Sequence, residues 1–182
     1  ETTNLNSHPH IGGNGEVVIV HNGVVENYAK LREELQSLGF VFRTSSDSEI
    51  IAHMICHDLT EQIKMGADPE SRETYLEAVR QSTQRFQGTY GVAALFRDMP
   101  NTIIVARFGS PLVIGVGEDE YFLASDASPL LGHTDEVVYL DDHEIAVLRP
   151  EGMELHHQES GRRKPSIHTI DQVSSDIELG DY

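Results

Sequence analysis

The sequence predicts an α+β fold with its elements in layers, in which helices pack on sheets within one domain. Apolar residues recur at helical spacing in several segments of the first half of the chain. From Gly88 onward, short β-branched runs follow one another and are separated by Gly, Pro or Asp turns. With 182 residues, the chain has the usual size of a single domain and is long enough to bury a core.

One main strand and three helices are predicted before Gly88. Residues 1–14 are expected to form a loop, and Glu16–His21 (EVVIVH) has the β-branched composition of a buried strand, which Asn22-Gly23 is expected to end. Ser46 or Asp47 is predicted to cap the second helix, with Glu49 completing a capping box from Ser46. The first predicted helix covers Val24–Leu38 and ends at Gly39. The second runs from the cap at Ser46 or Asp47 through Ile55, and the third covers Thr74–Phe86. A short strand is predicted at Phe40–Arg43.

Closely spaced strands with short turns predict an antiparallel meander in the second half of the chain. The predicted strands are Gly91–Arg97, Thr102–Phe108, Leu112–Gly117, Tyr121–Ala124, Glu136–Leu140 and Glu144–Arg149. A short helical turn is expected over Ser128–Leu131. The polar segment 158–182 is expected to be a linker, so residues 1–157 are predicted to form the domain.

The composition argues against several classes of function. Thirty acidic residues against thirteen basic ones give a formal charge of −17, which repels phosphate backbones and argues against a nucleic-acid partner. No segment approaches the roughly 18 apolar residues of a membrane-spanning helix, so no membrane partner is expected. The single cysteine, Cys56, excludes an internal disulfide framework and fits a reducing compartment. A cytoplasmic location is therefore predicted.

The His21-Asn22-Gly23 motif, at the predicted end of the first strand, is the most informative candidate site. The Gly23 backbone N–H beside the Asn22 side-chain amide would supply two neutral donors, as an oxyanion in acyl transfer requires. Asn-Gly is also the commonest tight hairpin turn, and spacing alone favours that alternative. Asp47 has two interpretations as well, because a carboxylate there either caps a helix or pairs with a ligand's ammonium group. Local sequence leaves both questions open.

Histidine pairs and the lone thiol are weaker candidates. His8 and His10 are two residues apart, and His53 and His57 are one helical turn apart, so either pair can present two nitrogens to a metal. Neither pair has a convincing third ligand nearby, so no metal is expected. Cys56 lies on an apolar helix face, where desolvation raises the pKa of a thiol, and it is assigned no role.

Seven segments, taken in their order and spacing, resemble the class II glutamine amidotransferases. The match extends to about Leu148. Within this family, Val-Val-Glu-Asn-Tyr after His-Asn-Gly is most similar to the branch that makes glucosamine 6-phosphate from fructose 6-phosphate. The matching segments are Asn6–His10 (NSHPH), Val17–Tyr28 (VVIVHNGVVENY), Leu31–Gly39 (LREELQSLG), Thr44–His53 (TSSDSEIIAH), Gly88–Ala94 (GTYGVAA), Ala106–Gly115 (ARFGSPLVIG) and Tyr121–Asp126 (YFLASD).

The resemblance implies an N-terminal-nucleophile hydrolase fold, an αββα sandwich of two mainly antiparallel sheets between helical layers. It implies hydrolysis of the glutamine side-chain amide by an N-terminal cysteine, with the α-amino group of that cysteine as general base. The family's oxyanion-hole donors fall on Asn22 and Gly23, and its carboxylate for the substrate α-ammonium falls on Asp47. It implies no cofactor or metal, and a homo-oligomeric parent protein whose C-terminal sugar-isomerase domains bind fructose 6-phosphate.

The sequence departs from the family pattern where it begins. The first residue is Glu1 and not the family's nucleophilic cysteine, and Asn6–His10 normally lies well downstream of that cysteine. The Arg-Trp-Ala-Thr-His-Gly stretch that normally precedes Asn6–His10 is also absent from these residues. We therefore expect this polypeptide alone not to hydrolyse glutamine, and we expect an unpaired sheet edge. Two alternatives remain: another branch of the family with a different acceptor, and a non-catalytic binding module on the same fold.

Overall fold

The computed structural model describes residues 6–158 and 161–170, and these residues form two antiparallel sheets and three α-helices. The helices are α1 (Tyr28–Ser37), α2 (Asp47–Lys64) and α3 (Arg72–Arg85). The strands are β1 (His10–Gly12), β2 (Val17–Val25), β3 (Gly88–Phe96), β4 (Met99–Phe108), β5 (Val113–Val116), β6 (Tyr121–Ala124), β7 (Glu136–Tyr139), β8 (Glu144–Arg149), β9 (Gly152–His157), β10 (Gly161–Arg163) and β11 (His168–Thr169). A 3-10 turn covers Ser128–Leu130.

Hairpin connections account for most of the sheet topology. The larger sheet has the order β1-β2-β3-β4-β8-β9-β10, and the smaller sheet has the order β11-β7-β5-β6. Every strand pair in both sheets is antiparallel. The predicted α+β class and the antiparallel pairing are confirmed. The predicted meander is wrong, because β5, β6 and β7 form the smaller sheet and β8 returns to pair with β4 of the larger one. Strand β6 forms one edge of the smaller sheet.

Two apolar cores hold the layers together. The first lies between the helices and the larger sheet, where α2 buries Ile50, Ile51 and Met54 completely because its apolar residues recur at helical spacing. The second lies between the two sheets and includes Val105 and Ile114, both fully buried. The order of layers is therefore helices, larger sheet, smaller sheet. No helix within the described ranges has the length and apolar character needed to cross a bilayer.

Strand β2 is longer than the sequence predicts, and the first helix is shorter. The strand continues through Asn22-Gly23 to Val25, which pairs with Gly88 of β3. Helix α1 then begins only at Tyr28. The intervening turn is held by Asn27, whose side chain donates to the Arg85 carbonyl oxygen and accepts from the Gln87 N–H. Pairing with a distant strand thus overrides the turn preference of Asn-Gly.

The predicted strand Phe40–Arg43 and the predicted capping box are both wrong, for one reason. The Glu49 carboxylate accepts from the backbone N–H groups of Arg43 and Thr44, each at 2.8 Å, and from the Thr44 hydroxyl at 2.7 Å. These N–H groups are therefore hydrogen-bonded without a neighbouring strand. Because the Glu49 carboxylate accepts from this loop, it does not accept from the Ser46 N–H as a capping box requires. Ser46 still caps α2, because its hydroxyl accepts from the Ser48 N–H.

The polar segment after residue 157 contains two short strands that the sequence did not predict. In its described part, β10 extends the larger sheet beside β9, and β11 pairs with β7 of the smaller sheet. Residues 161–163 and 168–169 are thus sheet residues rather than linker. Residues 159–160 and 171–182 of the predicted linker lie outside the described residues. The division of the chain at residue 157 stays a prediction.

Candidate active site

The direction of the Gly23 N–H follows from the pairing of β2 with β3. The Glu26 N–H donates to the Gln87 carbonyl oxygen at 2.8 Å, and in this register Gly23 stands opposite Tyr90. Opposite residues of an antiparallel pair alternate between hydrogen-bonded and non-hydrogen-bonded pairs. Gly23, three residues from Glu26, is therefore in a non-hydrogen-bonded pair, and its N–H points away from β3.

On that side of β2, no described strand pairs with the residues after Ile19. Strand β1 covers only the first residues of β2, and its last pair joins His10 to Ile19. The amide groups of His21, Gly23 and Val25 therefore face an edge that β1 does not reach. A backbone donor at an uncovered edge is available to a ligand, which the sequence argument requires of Gly23.

Glycine is required at position 23 by its backbone geometry. Its φ is +131°, a region that residues with a side chain rarely adopt. A Cβ there would collide with the Thr89 carbonyl oxygen and lie 2.9 Å from the Ser110 hydroxyl oxygen. Gly23 therefore cannot be replaced without strain, and it lies inside a paired strand and not at the predicted strand end.

Asn22 is exposed and lines a cleft of about 160 Å³ between the two sheets. Its side chain follows Val20 on the face of β2 that is turned toward the smaller sheet. The cleft is bounded by residues of β2, β3 and the β6 end of the smaller sheet: His8, Val20, His21, Asn22, Gly91, Ala93, Leu112, Leu123, Ala124 and Ser125. Asn22 thus has room for a ligand beside it.

Asp47 lies at the open edge of β2, at the first residue of α2. Its Oδ2 accepts from the Val25 N–H at 2.9 Å, while among the described residues its Oδ1 accepts no hydrogen bond. Val25 and Gly23 present their N–H groups to the same side, two residues apart. The structure therefore brings Gly23 and Asp47 together, and the Asp47 side chain is half-buried rather than turned to bulk water.

A second contact joins β2 to α2 beneath this edge. His21 Nδ1 lies 3.0 Å from the Ser48 hydroxyl oxygen, and both side chains are buried, with 5% and 4% of their surface exposed. Burial lowers the pKa of His21, and the Asp47 carboxylate opposes that shift. The ring is therefore neutral near pH 7.

Sequence reasoning missed Arg107, which holds the loop beside Gly23. Its guanidinium donates to the carbonyl oxygens of Ser110 and Leu140, at 2.8 Å and 2.6 Å. Ser110 is the residue whose hydroxyl approaches Gly23. The sequence does contain a signal for this role, because Arg107 lies at the end of a predicted strand just before Gly109-Ser110-Pro111. The carbonyl groups of such a loop need hydrogen-bond donors, and an arginine side chain can supply them.

The remaining candidates have structural explanations. His53 Nδ1 accepts from the Gly13 N–H at 3.0 Å, which ties α2 to the turn after β1. Burial raises the pKa of the Cys56 thiol to about 11, so this residue is not a nucleophile at neutral pH. The rings of His8 and His10 pack edge to face, with centroids 5.5 Å apart. Within residues 6–158 and 161–170, no group of three or more His, Cys, Asp or Glu side chains is placed to hold a metal.

Comparison with solved structures supports the fold. The glutamine phosphoribosylpyrophosphate amidotransferase from B. subtilis, complexed with ADP and GMP, superposes with a TM-score of 0.66. The match covers 86% of this chain and 32% of that protein at 24% identity, which shows the fold alone. The N-terminal-nucleophile hydrolase type of α+β fold is thereby confirmed, although the described residues contain only one of the two predicted helical layers.

Comparison of sequences gives the family. The glutamine--fructose-6-phosphate aminotransferase of Bacteroides thetaiotaomicron is 38% identical over 100% of this chain and 28% of its own length. The enzyme of that name from Methanothermobacter thermautotrophicus is 39% identical over 97% of this chain and again 28% of its own length. The chain thus spans about a quarter of the curated relatives it matches. The model of the glutamine amidotransferase domain matches residues 2–132, and the chain therefore belongs to this family.

Proposed function

We propose that this chain forms the glutamine-binding part of a glutaminase site, in a protein that transfers the released ammonia to fructose 6-phosphate. One observation carries the proposal: the Gly23 N–H faces the same edge of β2 as the Val25 N–H, two residues further along, to which the Asp47 carboxylate is bound. A donor for a developing oxyanion and a charge for an ammonium group are the two requirements for holding glutamine at both ends.

The chemistry divides into two steps. A thiolate attacks the side-chain carbonyl carbon of glutamine, and Gly23 N–H and the Asn22 amide stabilise the resulting oxyanion. The C–N bond then breaks, the nitrogen takes up a proton and leaves as ammonia, and water hydrolyses the thioester to glutamate. Asp47 holds the α-ammonium group throughout. Cys56 does not supply the thiolate, because its thiol is buried and protonated.

The nucleophile in this proposal is the N-terminal cysteine of the family, which is not among residues 1–182. We expect this polypeptide alone to bind glutamine weakly and to release no ammonia at an enzyme-like rate. Measuring ammonia after incubation with glutamine tests this, and rapid turnover would refute it. We assign fructose 6-phosphate as the acceptor of the ammonia because the relatives at 38% and 39% identity are named glutamine--fructose-6-phosphate aminotransferase. Homo-oligomeric assembly and a cytoplasmic location belong to the same proposal.

Titration calorimetry with glutamine tests the binding site directly. Asp47→Asn keeps an oxygen for the Val25 N–H but removes the charge, so affinity should fall about 10-fold or more, the usual value of a charged hydrogen bond. Asp119→Asn is the matched control, since Asp119 is exposed in the turn between β5 and β6. Equal glutamine affinity in the two variants would contradict the role of Asp47. Asn22→Ala should weaken binding less, because its amide acts mainly on the oxyanion.

A further inference from the structure

Two side-chain contacts join β2 to the first turn of α2, and they lie on either side of Gly23. The Asp47 carboxylate accepts from the Val25 N–H, two residues after Gly23. Ser48 contacts His21, two residues before it. The oxyanion donor lies on the strand and the ammonium-binding carboxylate lies on the helix. Their separation therefore depends on how firmly these two elements are joined.

Building on the proposed function, we propose that His21 and Ser48 are positioning residues that make the site select glutamine over asparagine. They do not touch the substrate. Their hydrogen bond prevents the N-terminus of α2 from sliding along β2, and so it fixes the distance between Gly23 N–H and Asp47. When this distance is fixed, only an amino acid of matching length can contact the Gly23 N–H with its side-chain amide and Asp47 with its α-ammonium group.

In this proposal the length of the site is set by the spacing of residues along β2 and by the contact of Asp47 with Val25. The N–H groups of Gly23 and Val25 are about 7 Å apart along β2, at the usual rise of a strand per residue. The Asp47 carboxylate lies 2.9 Å from the Val25 nitrogen. Asparagine lacks one methylene group, which shortens an extended chain by about 1.3 Å at standard bond lengths. We therefore expect asparagine to reach the oxyanion donors and the carboxylate together less well than glutamine does, unless α2 shifts.

Burial makes the His21–Ser48 contact effective. Both side chains are more than nine-tenths buried, and their neighbours on α2 include the fully buried Ile50 and Ile51. When one partner is removed, water does not readily replace it, and the strand and helix lose a fixed point of contact. Ser48→Ala should therefore loosen the register without removing any group that contacts glutamine.

The experiment compares Ser48→Ala with Ser48→Thr and Ser82→Ala. Threonine keeps the hydroxyl group. Ser82 is a matched control, because it is also a buried serine, donating to Asp58 Oδ2 at 2.6 Å, but it lies on α3 away from the site. Calorimetry gives the affinities for glutamine and asparagine, and amide hydrogen exchange reports on the Val25 N–H that Asp47 holds.

In Ser48→Ala we expect the preference for glutamine to fall about threefold to tenfold, as for one neutral hydrogen bond, and exchange at Val25 to rise by a similar factor. Ser48→Thr should restore both, and Ser82→Ala should lower stability without changing either. Glutamine binding with an unchanged preference in Ser48→Ala overturns the inference while leaving the proposed function intact. If the unsubstituted chain binds neither amino acid, the proposed function and the selectivity role fail together. In that case, amide hydrogen exchange at the Val25 N–H still tests whether His21 and Ser48 position Asp47, because it should be faster in Ser48→Ala than in the unsubstituted chain.

Discussion

Replacing Gly23 with alanine tests whether the backbone at the proposed oxyanion donor has to be glycine. The residue has φ +131°, and a Cβ there collides with the Thr89 carbonyl oxygen, which belongs to a neighbouring strand and cannot rotate away. Gly39 is the matched control. It also has a positive φ, +92°, but a Cβ on it meets nothing within 4 Å.

The two substitutions should therefore differ in the collision alone. Backbone strain at positive φ costs about 1–2 kcal/mol for a residue with a side chain, and Gly39→Ala should lose about that much stability. Forcing an added methyl group against fixed neighbours costs about 1–3 kcal/mol more. Gly23→Ala should thus lose about 2–5 kcal/mol of the free energy of unfolding.

Urea denaturation followed by circular dichroism measures both losses in the same buffer. Calorimetry with glutamine on the folded variants adds the functional result, because relief of the collision at Gly23 must move its N–H. We expect Gly23→Ala to weaken glutamine binding and Gly39→Ala to leave it unchanged. Equal losses of stability in the two variants would refute the reasoning from the Thr89 carbonyl.

Three further substitutions or treatments test the surroundings of the site. Burial raises the pKa of Glu49, but hydrogen bonds from its loop outweigh this and hold it below its usual 4.5. Its contribution to stability is therefore present above pH 4.5 and lost as the pH falls through the lower folded-state pKa. Glu49→Gln should cost about 2–3 kcal/mol at pH 7 and less at pH 3, whereas exposed Glu33→Gln should change little at either pH by urea denaturation. Alkylation of Cys56 at pH 8 should be about 100-fold slower in the native than in the denatured chain, because its pKa rises from 9.0 to about 11. Ser82→Ala leaves the buried Asp58 carboxylate without its donor, and the midpoint of urea denaturation should fall by the equivalent of about 1–3 kcal/mol.

Local sequence predicted those elements whose residues carry their own signal. Helix α2 was predicted because Ile50, Ile51 and Met54 follow helical spacing and all three enter the core. Most strands after Gly88 were predicted from β-branched runs. Strand β9 was missed because Gly-Met-Glu-Leu-His-His contains no β-branched residue, and only its pairing with β8 makes it a strand.

Contacts between distant residues account for the other differences. The Asn22-Gly23 pair has the local preference of a turn, but nine consecutive pairs with β3 keep it extended. The carboxylate of Glu49 reaches backward to Arg43, which no helix-cap rule indicates. The approach of Asp47 to Val25 joins two elements that are 22 residues apart in sequence. Family resemblance indicated Asp47, whereas local pattern alone did not.

Strand β2 also imposes a constraint on chain length that residue types do not reveal. Odd-numbered residues of this strand direct their amides toward the open edge, and even-numbered residues direct theirs into the sheet. Inserting one residue between Val17 and Asn22 would exchange these two sets, so that glycine would form a ladder bond and asparagine would point into the core. Insertions of two residues preserve the parity. Natural length variation in this segment should therefore come in even steps.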